Sequence, residues 1–466
     1  MSSLLRRPSW YFSLVAASLS GLVACGGNAA HDGSAPSGGG SSGAATDGAG
    51  ASALAGATDS GGLAGGMGFS GSADDGGGST GGSTGGSTGT AGAGSSGAAG
   101  STGATCSGNA LSTTPTNLAF PEAQGFGQHA TGGRDGAVYH VTNLNDSGAG
   151  SFRDAVGTAN RIVIFDVGGY IALKSAVSVR SNLTIAGQSA PGGGIGFSGG
   201  EIGFANATNI ICRHIRVRPG SDTASSTDDA LSLYEAKNVI IEHSSYQGTG
   251  TVLTAAWSGA LAATPYSAAS AYRISASLAG AQPRDPLDTL IISQMETLGK
   301  GSTGTGANSV GPDGSLYTSQ AQTGLANNGY GTIAGGTKPT DTDNDGMPDF
   351  WERTAGSDPA VADSSNKASD GYTLIEHYLN WLAEPHAQTT AGTAVDIDLA
   401  EIASGFSAVT PAFSVKAACG SVQLLNGHTA HFTPETGFHG LSSFDFTVTG
   451  SDTSTYTTTV AVAVQP

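Results

Sequence analysis

The sequence predicts a mainly β protein, a parallel β-helix followed by a small β-sandwich, with short helices between the two. Two observations carry that reading. Asparagine followed by a branched apolar residue recurs at Asn182, Asn209 and Asn238, at spacings of 27 and 29 residues, with an earlier Asn160-Arg161-Ile162 standing 22 residues before. Residues 387–466, by contrast, alternate Thr with Val and Phe, the pattern of half-buried antiparallel strands.

Residues 1–25 combine Arg6 and Arg7 with an apolar run, Trp10 to Ala24, too short for a membrane span. The run ends in Leu22-Val23-Ala24-Cys25, which resembles a bacterial lipobox. Cys25 would then be lipidated, and Gly26 after it favours the outer membrane or cell surface. Read instead as an ordinary signal peptide, the same segment implies secretion. Residues 26–105 hold 29 of the 75 glycines and no Lys or Arg. Such a stretch cannot bury a core and is expected to be a disordered tether. At this length a random coil spans roughly 50 Å root-mean-square. A net charge of −18 argues against non-specific binding to nucleic acid or anionic lipid, so the expected membrane contact is the lipid alone. Acidic clusters invite a hard cation instead. Four cysteines are too few for a disulfide-built scaffold. Cys212 reads as a buried thiol in an apolar strand. Cys419 has no evident partner, and whether Cys106, Cys212 or Cys419 pair stays open.

Within residues 106–300, short β-rich runs are expected at 137–141, 161–165, 183–185, 210–212, 215–217, 231–233 and 239–241. Each repeat would be one rung, with its Asn at a turn that tolerates a left-handed backbone. The same spacing could arise by accident in a β-sandwich. Arg213, Arg216 and Arg218 read as alternation on an exposed face.

Four ordered motifs then select a family: Ala119 to Gly127, Thr131-Gly-Gly-Arg134, Val141 through Ala155, and Asn182-Leu-Thr-Ile-Ala-Gly-Gln188. Together they resemble a secreted pectate lyase of polysaccharide lyase family one, over 119–247, weakly at 265–293 and again at 330–382. The resemblance implies a right-handed β-helix and an uronate-polymer substrate cleaved by β-elimination. In that chemistry Ca2+ held by Asp and Glu neutralises the substrate carboxylate, and an Arg removes the C5 proton. Asp229 stands at the place of the first family carboxylate, and Glu242-His243 at the Asp-His place. Asp228, Asp229 and Glu242 are the residues a weak calcium site there would use. The acid pair expected next is missing from Ser245 to Val252, and the rungs bearing the Arg are missing altogether. The resemblance therefore implies an internally truncated β-helix, with an open rung near Thr251–Leu253 and the catalytic base unknown. Two functions stay open: a calcium-dependent pectate lyase, or a catalytically inactive surface protein that binds glycan or adheres. A monomer is expected.

Residues 301–386 form a linker and calcium module. Before them, Asp285-Pro286 is a helix start, with Leu287, Leu290, Ile291 and Met295 at helical spacing and no chemistry expected. Asp341, Asp343, Asp345, Gly346 and Glu352 match the calcium-loop pattern D-x-D-x-D-G-x5-E. The expected ligands are Asp341, Asp343, Asp345, the Met347 carbonyl, Asp349 and Glu352. Pro348 departs from the usual branched residue. A second half, 369–376, has Ala368 where an acid is needed and should bind poorly; an amphipathic helix follows from Tyr372 to Leu382. In the last module, Thr433-Pro434 through Gly440 resembles bacterial immunoglobulin-like and cadherin-like repeats, which serve as spacers or bind glycan.

Overall fold

The computed structural model describes residues 116–220, 229–247, 266–296 and 320–466, with Cys106, Leu111, Thr114 and the short strands Phe12–Ser13 and Ser101–Thr102. The segment carrying Cys25, the tether up to residue 100, Asp228 and the rung near Thr251–Leu253 lie outside the described residues.

The β-helix comprises β1 (Ala137–Val141), β2 (Arg161–Phe165), β3 (Gly169–Ala172), β4 (Val177–Ser178), β5 (Leu183–Ala186), β6 (Ile195–Ser198), β7 (Ile202–Gly203), β8 (Thr208–Arg213), β9 (Ile215–Arg218), β10 (Leu231–Ser232), β11 (Lys237–Glu242) and β12 (Ser245–Gln247). They assemble into three sheets, β1-β2-β5-β8-β11, β3-β6-β9-β12 and β4-β7-β10. Every pair among these strands is parallel. From β2 onward consecutive strands fall in different sheets, so the chain coils, as the repeat spacing predicts.

The asparagines explain the coil. Asn160, Asn182, Asn209 and Asn238 all have positive φ, between 53° and 62°, in the left-handed region that Asn tolerates better than most residues. Their carboxamides stack into a ladder. Asn182 Nδ2 donates to Asn160 Oδ1 at 2.9 Å, Asn209 to Asn182 at 3.0 Å and Asn238 to Asn209 at 3.3 Å. One residue type thus makes the turn and ties each rung to the next.

The interior is filled by alternate strand residues, among them Val163, Phe165, Ile185, Phe197, Ile210, Ile215 and Val217. Cys212 is a buried free thiol among them, as read. The short helix α1 (Phe152–Val156) sets Phe152 against Phe197, ring centroids 4.4 Å apart. The opposite residues of β2, Ile162 and Ile164, face outward and are still buried. Parallel strands covered on both faces are apolar throughout, and here the cover comes from the segment between Met347 and Leu382. Among the described residues, four α-helices lie between the β-helix and the C-terminal strands: α2 (Ala268–Leu278), α3 (Pro286–Glu296), α4 (Asp349–Ala355) and α5 (Leu374–Ala383). From α4, α5 and the loop before them, Met347, Trp351, Ile375 and Leu379 pack on Ile162 and Ile164. Helix α3 starts at Pro286 as expected, but its buried face is Leu287, Asp288 and Ile292. Leu290, Ile291 and Met295 are only partly covered.

The C-terminal strands are β13 (His386–Thr390), β14 (Val395–Asp398), β15 (Ala412–Ala417), β16 (Ser421–Leu425), β17 (Thr429–Thr433), β18 (Gly440–Thr449) and β19 (Thr455–Gln465). They form two sheets, β13-β19-β18-β15 and β14-β17-β16, with Ser101–Thr102 paired to β16. Phe432, Phe444, Phe446, Val448 and Val460 fill the space between them, joined by Ile274 of α2. Cys419, read as lacking a partner, is disulfide-bonded to Cys106 across a sequence separation of 313. Spacing could not disclose that pairing, because the fold alone brings the two ends together. Among the described residues, no helix is long and apolar enough to cross a membrane.

Candidate functional site

Two constellations carry chemistry: the acidic loop before α4, and the arginines of β8 and β9.

The loop is built locally. Asp345 N–H donates to Asp343 Oδ1 at 3.2 Å, Gly346 N–H to Asp341 Oδ2 at 3.3 Å and Met347 N–H to Asp345 Oδ1 at 3.0 Å. Gly346 has φ of 99°, and a Cβ there would come within 2.9 Å of the Ile164 and Ile375 side chains. The glycine therefore serves both the turn and the close approach to the β-helix. The carboxylates of Asp341, Asp343 and Asp345 offer oxygens within 4.8 Å of one another, and so do those of Asp345, Glu352 and Asp363.

Their electrostatics are unbalanced. Asp341 Oδ1, Asp343 Oδ2, Asp363 Oδ1 and both carboxylate oxygens of Glu352 are buried without a hydrogen-bond partner. Glu352 is 0% exposed. Burial, then repulsion from Asp345, Asp343, Asp363 and Asp341, pushes its carboxyl up to about 8. Burial and Asp345 likewise raise Asp343 and Asp363. Crowded, buried and unpaired carboxylate oxygens are costly unless a cation joins them, and this all-oxygen donor set fits Ca2+. Lys338 Nζ, 3.2 Å from Asp341 Oδ2, supplies the positive charge at the rim.

The placement differs from the expected shell in two ligands. Asp349 faces away: it accepts from Thr342 N–H at 2.9 Å and Thr342 Oγ1 at 3.0 Å, and it belongs to neither carboxylate group. Asp363, which the motif does not cover, joins instead. Met347 is buried in the packing beneath the loop, 1% exposed. In the second half, Asp370 accepts from Tyr372 N–H at 3.1 Å and faces His377 Nε2 at 3.3 Å. Thr373 and Glu376 form a capping box at the start of α5, and Glu376 also takes Arg134 Nε at 2.9 Å.

The three arginines overturn the expectation of an exposed face. Arg213, Arg216 and Arg218 are 7%, 0% and 3% exposed. Alternation was read correctly, since Ile215 and Val217 point inward; the outer face is covered. Arg213 Nε donates to Glu242 at 2.6 Å, its Nη1 to Asn380 at 3.2 Å, and its guanidinium lies 4.0 Å above the Phe120 ring. Arg216 and Arg218 meet the segment leading into α3. Arg218 binds Asp285, Asp288 and Tyr170, with Asp288 Oδ1 at 2.8 Å. Arg216 Nε lies 3.5 Å from Asp288, and its Nη2 donates to the Ala281 carbonyl at 3.1 Å and to that of Pro283. Asp285 and Asp288 therefore do more than start a packing helix: they neutralise two buried cations.

Glu242 is committed to this pairing. Burial opposes its charge, but Arg213, and His243 beside it, hold the carboxyl well below the ordinary carboxylate range. Asp229 is exposed just before β10, whose sheet is not the one that carries Glu242. Among the described residues, neither belongs to a group of three close metal-binding side chains.

Known proteins settle the kinship. A "Probable pectate lyase C" of Aspergillus oryzae is 49% identical over 133 residues, covering 28% of this chain and 32% of that protein. The chain is homologous to pectate lyases over this part. The corresponding Aspergillus fumigatus protein is 50% identical over 135 residues, 29% of this chain and 32% of its own. "Probable pectate lyase 5" of Arabidopsis thaliana is 32% identical over 164 residues, 30% of this chain and 40% of that one. The pectate-lyase-like chain thus spans about a third of the length of the curated relatives it matches first. Residues 382–465 match the family described as "Bacterial Ig domain". The solved structure of jun a 1, the major allergen from cedar pollen, is 23% identical and covers 26% of this chain and 40% of its own, with a TM-score of 0.22, too low to bear on the argument.

Proposed function

We propose that this chain is a surface-displayed pectate-lyase-like β-helix that engages an uronate polysaccharide without cleaving it, and that loop 341–352 holds a structural Ca2+. The observation that carries the reading is the captivity of the arginines. A β-eliminating base must reach the substrate's C5 proton with a neutralised carboxylate beside it. Arg213 is bound to Glu242, and Arg216 and Arg218 to Asp285 and Asp288. Glu242 is likewise unavailable as a calcium ligand at the substrate. The absence from Ser245 to Val252 of the acid pair that the resemblance implies supports this reading. The identity to pectate lyases favours a second reading, a calcium-dependent lyase using Asp229 and a base elsewhere.

Incubating residues 106–466 with polygalacturonate and Ca2+ at alkaline pH separates the two. The expected result is retarded migration in polygalacturonate-containing native gels and no rise in ultraviolet absorbance from unsaturated product. Calcium-dependent product that disappears in Asp229→Ala would restore the enzyme reading.

Display at the surface is proposed to depend on a lipid at Cys25. Cys25→Ser is expected to move the protein from the membrane fraction to the soluble one, since two-signal anchoring is lost with its acyl chains. Unchanged fractionation would reject the anchor.

A further inference from the structure

We propose that Asp363 is a ligand of the loop's cation, taking the place that the motif assigns to Asp349, so that the ion clamps the segment before α5 onto the loop. The inference rests on the calcium reading above and specifies its ligand set. Asp363 lies eleven residues beyond Glu352, outside the motif. Yet its carboxylate stands within 4.8 Å of ligand oxygens from Asp345 and Glu352. Its Oδ1 is buried with no hydrogen-bond partner, and both oxygens of the wholly buried Glu352 in the same group lack one too. A carboxylate that had only to cap a turn would have spent its oxygens on nearby donors, as Asp349 does on the N–H and hydroxyl of Thr342. The backbone brings Asp363 there independently of its side chain. Asp345 Oδ2 accepts from the N–H groups of Asp363 at 2.9 Å and Ser364 at 2.8 Å.

The consequence is mechanical. The Ser364 carbonyl accepts from Ile375 N–H at 3.0 Å, and the Asn366 carbonyl from Leu374 N–H at 2.9 Å. Segment 363–366 therefore holds the first turn of α5. That turn carries Glu376, which holds Arg134 at the start of the β-helix. A cation shared by Asp345, Glu352 and Asp363 joins the loop to α5 and, through it, to the β-helix; the motif's own shell, ending at Glu352, would leave 363–366 outside.

The test uses Tb3+ as the probe in the full-length protein, with Trp351 in α4 as the sensitiser and Ca2+ as competitor. Asp363→Asn and Asp349→Asn are compared with the unaltered protein. The proposal expects Asp363→Asn to weaken Ca2+ competition at least about tenfold, and Asp349→Asn to change it by less than about twofold. It further expects the calcium-dependent hydrogen-exchange protection of α5 to vanish in Asp363→Asn alone. Near-ultraviolet circular dichroism shows whether each variant is folded; if Asp363→Asn does not fold, Asp363→Glu replaces it, with the same expected loss of α5 coupling. The reverse ranking overturns the proposal and leaves calcium binding standing. Failure of the unaltered protein to bind either ion overturns both.

Discussion

Asp288→Ala is expected to destabilise the protein by about 3–5 kcal/mol, the usual effect of stripping one partner from a buried ion pair. Asp288 is 1% exposed and serves three groups: Arg218 Nη2 at 2.8 Å, Arg216 Nε at 3.5 Å and Ser245 Oγ at 2.8 Å. Without it, Arg216 is left with Asp285 at 4.0 Å from Nε, inside a site from which water is excluded. Burial already works against the Arg216 charge, and Asp288 is the first opposing influence. The measurement is urea unfolding of Asp288→Ala, Arg218→Met and the double variant. Removing both partners should recover part of the loss, because the penalty lies in the uncompensated charge and not in the missing contact. A loss below about 1 kcal/mol would place this cluster with exposed pairs that contribute little and remove the physical basis for calling the arginines captive.

Removing calcium should have the next largest effect. A ligand at about a thousand times its Kd stabilises the folded state by about 4 kcal/mol. At roughly 2–4 °C per kcal/mol for a domain of this size, the melting temperature should fall by about 10 °C. The pH dependence has a definite sign. Glu352 is pushed up to about 8 in the fold, against an ordinary value near 4.3 when unfolded. Between those values the folded, metal-free protein holds the extra proton, so its stability is greatest below about pH 4.3 and is lost as pH rises through about 8. Calcium competes with that proton and removes the loss. The gap between loaded and chelated melting temperatures should therefore widen from about pH 5.5 to about pH 8.5. Asp345→Ala should close it at both. Equal melting temperatures with and without calcium at both pH values would show that the loop is no cation site.

Local signals were legible in the residues. The left-handed turns at Asn160, Asn182, Asn209 and Asn238 depend on one side chain's tolerance of positive φ, so their spacing disclosed the rungs. Pro286 at the first helical position and the alternation of Thr with apolar residues after 387 act within a few residues, and the helix and strands lie there. The loop's core, Asp341, Asp343, Asp345 and Glu352, was legible for the same reason: a turn around Gly346 brings those carboxylates together whatever surrounds them.

Burial and pairing were not legible, because both depend on what the chain brings back from far away. The sequence by itself determined that Arg216 and Arg218 point opposite to Ile215 and Val217; only the tertiary structure decided that their face is covered, by carboxylates of a helix start some 70 residues on. It also decided that Cys106 meets Cys419 across 313 residues, and that Asp363 turns to the carboxylates of Asp345 and Glu352 while Asp349 turns to Thr342. Periodicity sets the direction in which a side chain leaves the backbone. Whether water or a counter-charge waits there is settled by contacts between segments that carry no mark of one another in the sequence.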